Sequence, residues 1–222
     1  VVRSDAKVNK PQDLSGKSLA SPQLGNTQDV ALRFYLKENG LVPTEKGGTV
    51  KVVPTENPDI LTLFLKKEIE GAWVPEPWGA RLVKEGGGRL FLDERELWPQ
   101  GRFVTAHVIV SKKFLEENPG LVKKWLEGHV QTTKWINENK EEAQATVNEE
   151  IKKIAGKSLP PDVLKEAFSR LDVTYDPIKS SLFKSAANAF ELGFIQDKNI
   201  DKIYDLSLLN EVLKEEDLKP IK

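Results

Sequence analysis

The sequence predicts an α/β fold that passes into a helical segment, and three observations predict it. Short apolar runs alternate with helix-period segments as far as Val110. Beyond Val110 only helical patterns follow. Two loops of unusual composition, Gln23–Gln28 and Pro75–Trp78, fall where strands end and helices begin.

Taken in order, Val1–Arg3 reads as the end of a strand, and Lys10–Gly16 (KPQDLSG) as a turn-rich step into a strand Lys17–Ala20. A tight loop with Gly25 then leads to a helix that opens near Asn26–Thr27 and runs to Glu38. Val30, Ala31, Phe34, Tyr35 and Leu41 recur at helical spacing, and Gly40 stands where a C-terminal cap belongs. Thr49–Val53 alternates as a strand. Asn57-Pro58 offers a capping side chain and a first-turn proline to a helix Asp59–Lys67. Gly71–Val74 reads as a buried strand, Trp78–Glu85 as a helix stopped by Gly86–Gly88, Leu90–Leu92 as a short strand, and Phe103–Val110 (FVTAHVIV) as the longest β-like run. Helices are predicted over Lys112–Asn118, Gly120–Asn137, Glu141–Ala155, Asp162–Leu171, Ile178–Leu192 and Leu206–Lys214, with Gly156 and Gly193 as stops. The alternating part implies parallel strands. No internal repeat and no low-complexity segment is present.

The bulk composition excludes several classes. Lys+Arg 33 against Asp+Glu 34 leaves a formal charge of −1, and no basic run interleaves with aromatics, so nothing points to nucleic acid. No segment has the roughly 20 apolar residues that span a bilayer. With Cys 0, disulfides, thiolate metal sites and cysteine nucleophiles are ruled out. The chain opens VVRSDAKV and contains Met 0, which reads as a fragment or a processed chain carrying no signal peptide of its own. No G-x-S-x-G, H-E-x-x-H or P-loop pattern occurs, and the carboxylates are spread over helix faces.

Two segments carry functional information. In Ser18–Gly40 (SLASPQLGNTQDVALRFYLKENG) a strand, a glycine loop and a helix start follow one another. The N–H groups of a helix's first turn lack intrahelical partners and lie at the positive end of the macrodipole, which suits a small anion. Asn26, Thr27 and Gln28 supply those N–H groups, with the Thr27 hydroxyl and the Asn26 or Gln28 amide as further donors; an ordinary capped strand–helix turn explains the same residues. In Gly71–Arg81 (GAWVPEPWGAR) the prolines end the strand abruptly and put Trp78 at its C-terminal edge, where it can wall a pocket. Trp73 reads as core. Glu76 has three open roles: holding a ligand ammonium, pairing with Arg81, or accepting from backbone N–H groups. His107, inside an apolar run, fits a satisfied core residue as well as a site residue. His129 is structural or solvated, and two histidines make no metal cluster. Trp125 and Trp135 are read as packing a core.

DLSGKSLASPQLGNTQDVALRFYLKENGL, NPDILTLFLKKEIEGAWVPEPWGARLVKEGGGRLFLDE and FVTAHVIVSKKFLEENPGLVKKWLEGH together resemble the solute-binding proteins of ABC importers for aliphatic sulfonates, with nitrate and taurine binders as near relatives. The likeness extends to EAFSRLDVTYDP and YDLSLLNEVL. It implies the type II periplasmic-binding fold, a two-lobe Venus flytrap, with one lobe complete here and the other partial. Residues 1–6 would be a first crossing strand, 7–103 the complete ligand-binding lobe, 104–110 the return crossing, and 111–222 the helical part of the other lobe and the tail. The resemblance also implies that an oxyanion meets Gln23, Gly25, Asn26, Thr27 and Gln28, that Glu76 and Trp78 face it, and that His107 lies near the hinge. The family pattern has a further N-terminal segment, so exposed apolar faces are expected on the helices after Val110.

The function this implies is that of an extracytoplasmic importer component, not an enzyme, which captures an alkanesulfonate without cofactor or metal. It would be periplasmic or lipid-anchored and monomeric at full length, with a membrane permease as its partner. A nitrate, taurine or thiamine-precursor binder and a sensor-domain lobe are the alternatives. Desulfinases and pyrimidine-precursor synthases share the scaffold but rely on cysteine, which this chain lacks.

Overall fold

The computed structural model describes all of residues 1–222. In chain order the elements are β1 (Val2–Arg3), β2 (Ser18–Ser21), α1 (Thr27–Glu38), β3 (Lys51–Pro54), α2 (Asn57–Leu65), β4 (Gly71–Ala72), α3 (Trp78–Lys84), β5 (Gly88–Arg89), α4 (Lys112–Glu117), α5 (Pro119–Glu138), α6 (Lys140–Ala155), α7 (Pro161–Phe168), α8 (Lys179–Leu192) and α9 (Ser207–Glu215). Two compact units form. The first comprises Val1–Thr105, Leu159–Leu171 and Ser180–Lys198, and the second Ala106–Ser158, Asp172–Lys179 and Asn199–Lys222.

The first unit is built on a five-stranded sheet of order β3-β2-β4-β1-β5. β2 runs parallel to both β3 and β4, while β1 is antiparallel to β4 and β5. The sheet is therefore mixed, where the alternating sequence pattern predicts parallel strands throughout. Side chains alternate between its faces as strand geometry requires. Leu19 and Val52 join Leu32 and Leu36 of α1 in one cluster; Ala20 and Ala72 join Ile60, Leu61 and Phe64 of α2 and Leu82 of α3 in another. Ala80, Val163 and Ala167 make a third small core between α3 and α7.

Several boundaries differ from the predicted ones, each for a local reason. The strand expected over Gly71–Val74 stops at Ala72, ahead of the Val-Pro-Glu-Pro run. The strand near Leu90 forms instead at Gly88–Arg89, paired with β1. Asn57 does not cap α2: the N-cap position is Glu56, with no side-chain cap bond, and the Asn57 Oδ1 is buried without a partner. Phe103–Val110 forms no strand, since no neighbour pairs with it, and Val108, Ile109 and Val110 are exposed.

In the second unit α5 packs on α9 around Val130, Leu209, Val212 and Leu213. Lys123 reaches both Glu211 and Glu215 at 2.7 Å, and Lys134 meets Glu216 at 3.2 Å. Trp125 and Trp135 are 52% and 37% exposed, contrary to the core role read from their spacing. Each lies five residues from the buried Val130, which at 3.6 residues per turn is about 140° around the helix, away from the α9 contact. Phe114, Leu121 and Ile154 are also exposed on this unit's helices.

Candidate functional site

β2 and β4 are adjacent and parallel, so the loops after them leave the same edge of the sheet. α1 returns the chain to β3 on one side of β2; α2 then carries it across to β4 on the other side. The two helices pack on opposite faces, as their separate clusters show. That reversal is a topological switch point, the usual ligand position of an open α/β sheet.

The loop after β2 is organised around Asp29, whose side chain is fully buried. Its Oδ1 accepts from the Ser21 hydroxyl at 2.6 Å; its Oδ2 accepts from the Gly25 N–H and from Arg33 Nε, both at 2.9 Å. Asn26 is the N-cap of α1, and its Oδ1 accepts from the Asp29 N–H at 2.9 Å. Asn26 thus caps the helix, while the Asp29 carboxylate reaches back past it to the residue before the cap. Gly25 sits at φ +75°, a backbone conformation that favours glycine, and a Cβ there would lie 3.1 Å from Phe194 Cδ1, so that ring would have to give by a few tenths of an ångström. Lys37 pairs with Glu191 and Lys46 reaches the Leu192 carbonyl at 3.5 Å, which ties the end of α8 to this side of the sheet.

The N–H groups of Asn26, Thr27 and Gln28 have no partner within the chain, nor does the Thr27 hydroxyl. Gln28 is 8% exposed, yet its side-chain amide is also unpartnered. The expected donors thus divide. Gly25 spends its N–H on Asp29. Gln23, exposed and at φ +48°, donates its amide to Glu56 Oε1 at 3.0 Å. Asn26, Thr27 and Gln28 are free to act.

On the neighbouring loop Trp78 opens α3 and packs partly buried against the Ile60–Phe64–Leu82 cluster, with the Arg81 guanidinium 4.7 Å from its ring centroid. Glu76 takes up one of its three open roles, accepting from a backbone N–H, and adds a partner that none of them names. Its Oε2 accepts from the Ala80 N–H at 2.9 Å, and its Oε1 receives Arg170 Nε at 2.5 Å. Glu76 and Arg170 are 10% and 14% exposed, and Arg170 continues to Glu166 at 2.6 Å. Arg81 pairs with Glu85 at 2.8 Å rather than with Glu76. Arg170 escapes sequence reasoning because 94 residues separate it from Glu76. Phe194 escapes for the same reason.

Trp73 turns into the core beside Tyr35, ring centroids 5.2 Å apart. Its Nε1 and that of Trp98 both donate to Glu94. Burial pushes the Glu94 carboxyl above its ordinary range against the pull of these two donors. His107 belongs to the second unit, is exposed, and places Nε2 2.8 Å from the Pro177 carbonyl, so it is no core histidine. His129 stacks on Trp125 at 5.2 Å, and burial lowers its pKa.

Residues 3–150 match the NMT1-like family. The chain belongs to that family. This NMT1-like protein is 31% identical over 116 residues to the taurine-binding periplasmic protein of Escherichia coli, covering 52% of the chain and 34% of the relative. It is 27% identical over 143 residues to the nitrate/nitrite binding protein NrtA of a Nostoc species, covering 62% and 31%. The chain therefore spans about a third of the length of these relatives. Its structure is similar to the periplasmic aliphatic sulphonate binding protein SsuA of Escherichia coli, with TM-score 0.68, 18% identity, and 92% of this chain and 64% of that one covered. It is also similar to the alkanesulfonate-binding SsuA of Xanthomonas axonopodis, bound to MOPS, with TM-score 0.66, 16% identity, and 95% and 67% covered. The fold is thus that of the SsuA periplasmic binding proteins over about two thirds of their length.

Proposed function

We propose that this protein is the solute-binding component of an ABC importer, working outside the cytoplasmic membrane, and that it captures an aliphatic sulfonate. One observation carries the reading: three free N–H groups, a free hydroxyl and a free amide gather on the first turn of α1, at the switch point of the sheet. A sulfonate is ionised at every physiological pH, so it asks for fixed donors and no acid–base group. Thr27 and Gln28 grip its oxygens, Gly25 and Asn26 shape the turn, and Trp78 offers apolar surface to the alkyl part. Binding needs no catalysis, in keeping with a family whose relatives are named for binding rather than for a reaction. The partner is a membrane permease, which reads the ligand-bound form.

The Glu76–Arg170 pair favours a plain alkanesulfonate over taurine, because a carboxylate already neutralised by a guanidinium has little attraction left for an ammonium. Calorimetry of the intact protein with ethanesulfonate, taurine and nitrate tests this. Ethanesulfonate is expected to bind most tightly, and Thr27→Ala to weaken it by about 1 kcal/mol or more, the worth of a hydrogen bond to a charged group. Absence of binding to all three anions would refute the proposal.

A further inference from the structure

An anion held on the first turn of α1 would share that turn with a carboxylate. Asp29 is fully buried, and its negative charge lies within the turn that carries the free N–H groups of Asn26, Thr27 and Gln28. Two of the donors that Asp29 accepts from, the Ser21 hydroxyl and the Gly25 N–H, are neutral, so they solvate its charge without cancelling it. Repulsion between two anions so placed is screened far less than at a surface. Only one cation bonds to Asp29: Arg33, 7% exposed, four residues on, with Nε 2.9 Å from Oδ2. The other carboxylate on that guanidinium, Glu45, is 46% exposed and so has solvent to spread its charge. The Phe194 ring, 5.9 Å from the Arg33 guanidinium carbon, covers another side of it.

Resting on the anion-site reading above, we propose that Arg33 is a positioning residue that sets charge selectivity: by cancelling Asp29 it lets the first turn of α1 accept an anionic ligand that it never touches. Asp29 fixes the loop, and Arg33 removes the electrostatic penalty that this fixing brings. The Gln28 side-chain amide, on a residue 8% exposed, makes no bond within the chain and so leaves a further donor available to a ligand on the same turn.

The test is ethanesulfonate calorimetry on the intact protein at constant ionic strength, with three variants. Arg33→Met keeps an unbranched stem beside Phe194 and removes the charge; affinity is expected to fall about tenfold or more, since Asp29 then faces the ligand uncompensated. Asp29→Asn keeps an acceptor for Gly25 or Ser21 and removes the repulsion; affinity is expected to rise about threefold or more. The double variant, neutral at both positions, is expected to stay within about threefold of wild type. A purely structural role for the pair predicts weaker binding in all three, so tighter binding by Asp29→Asn is the distinguishing signature. Should Arg33→Met fail to fold, Asp29→Asn and the double variant decide. Asp29→Asn that binds no tighter than wild type, or Arg33→Met that binds as well, would overturn the assignment while leaving the anion site standing. Wild-type protein that binds no alkanesulfonate would overturn the anion site and this inference with it.

Discussion

Glu76→Ala is expected to damage the fold of the first unit. The carboxylate is 10% exposed, its partner Arg170 14%, and Arg170 keeps one other carboxylate, Glu166. Removing one member of a buried ion pair costs about 3–5 kcal/mol because the other charge is left uncompensated. Glu166 is 34% exposed and holds Arg170 from a wetter position, which places the expected loss near the lower limit, about 3 kcal/mol. The Ala80 N–H also loses its acceptor at the start of α3, and because Ala80 is 0% exposed the donor left without a partner keeps the loss from falling below that limit. Glu76→Gln keeps an acceptor for Ala80 and Arg170 and loses only the charge, so about 1–2 kcal/mol is expected. Urea unfolding followed by tryptophan fluorescence reads both values. The corresponding fall in Tm for Glu76→Ala is about 6–12 °C for a chain of this size. A double-mutant cycle with Arg170→Ala isolates the coupling. A Glu76→Ala protein that unfolds within about 0.5 kcal/mol of wild type would refute the structural role, and a changed taurine preference in that protein would return Glu76 to the ligand.

Three further outcomes are expected. Gly25→Ala should lose about 1–2 kcal/mol of stability, from the left-handed backbone alone, and should also weaken anion binding because its Cβ presses Phe194; paired denaturation and calorimetry check this. Burial raises the Glu94 pKa, so the folded state holds that proton more tightly than the unfolded chain does, and stability is lost as pH rises from near 4.5 through the raised value. Glu94→Gln should abolish that loss and be at least as stable as wild type at neutral pH, which unfolding curves across pH 4–8 would show. Leu36→Ala, at a position 0% exposed beneath α1, should cost about 2–5 kcal/mol in the same unfolding assay.

What the sequence disclosed followed the range of the interactions concerned. α1 is found at Thr27–Glu38, as its periodicity, the Asn26 cap and Gly40 predict, because each of these signals acts within a few residues. The Asn26–Gln28 donors were legible for the same reason. The partners of Glu76 were not, since one is a near-neighbour N–H but the other is Arg170, brought in by α7 packing on Ala80. FVTAHVIV has strong β propensity yet forms no ladder, because a strand exists only with a partner, and propensity cannot supply one. Trp125 and Trp135 share a helix face, but spacing alone does not say which face is buried; Leu209, Val212 and Leu213 decide that from the far end of the chain. The antiparallel seat of β1 likewise depends on strands seventy to ninety residues away.

The chain changes unit five times, after Thr105, Ser158, Leu171, Lys179 and Lys198. Neither unit can therefore be excised as one contiguous piece. During synthesis the sheet of the first unit emerges early, but α7, α8 and the Phe194 that rests on Gly25 leave the ribosome much later. The nascent sheet waits with Ala80 and its Glu76 carboxylate uncovered until those segments arrive. The long sequence separations involved make slow final docking the expected kinetic signature.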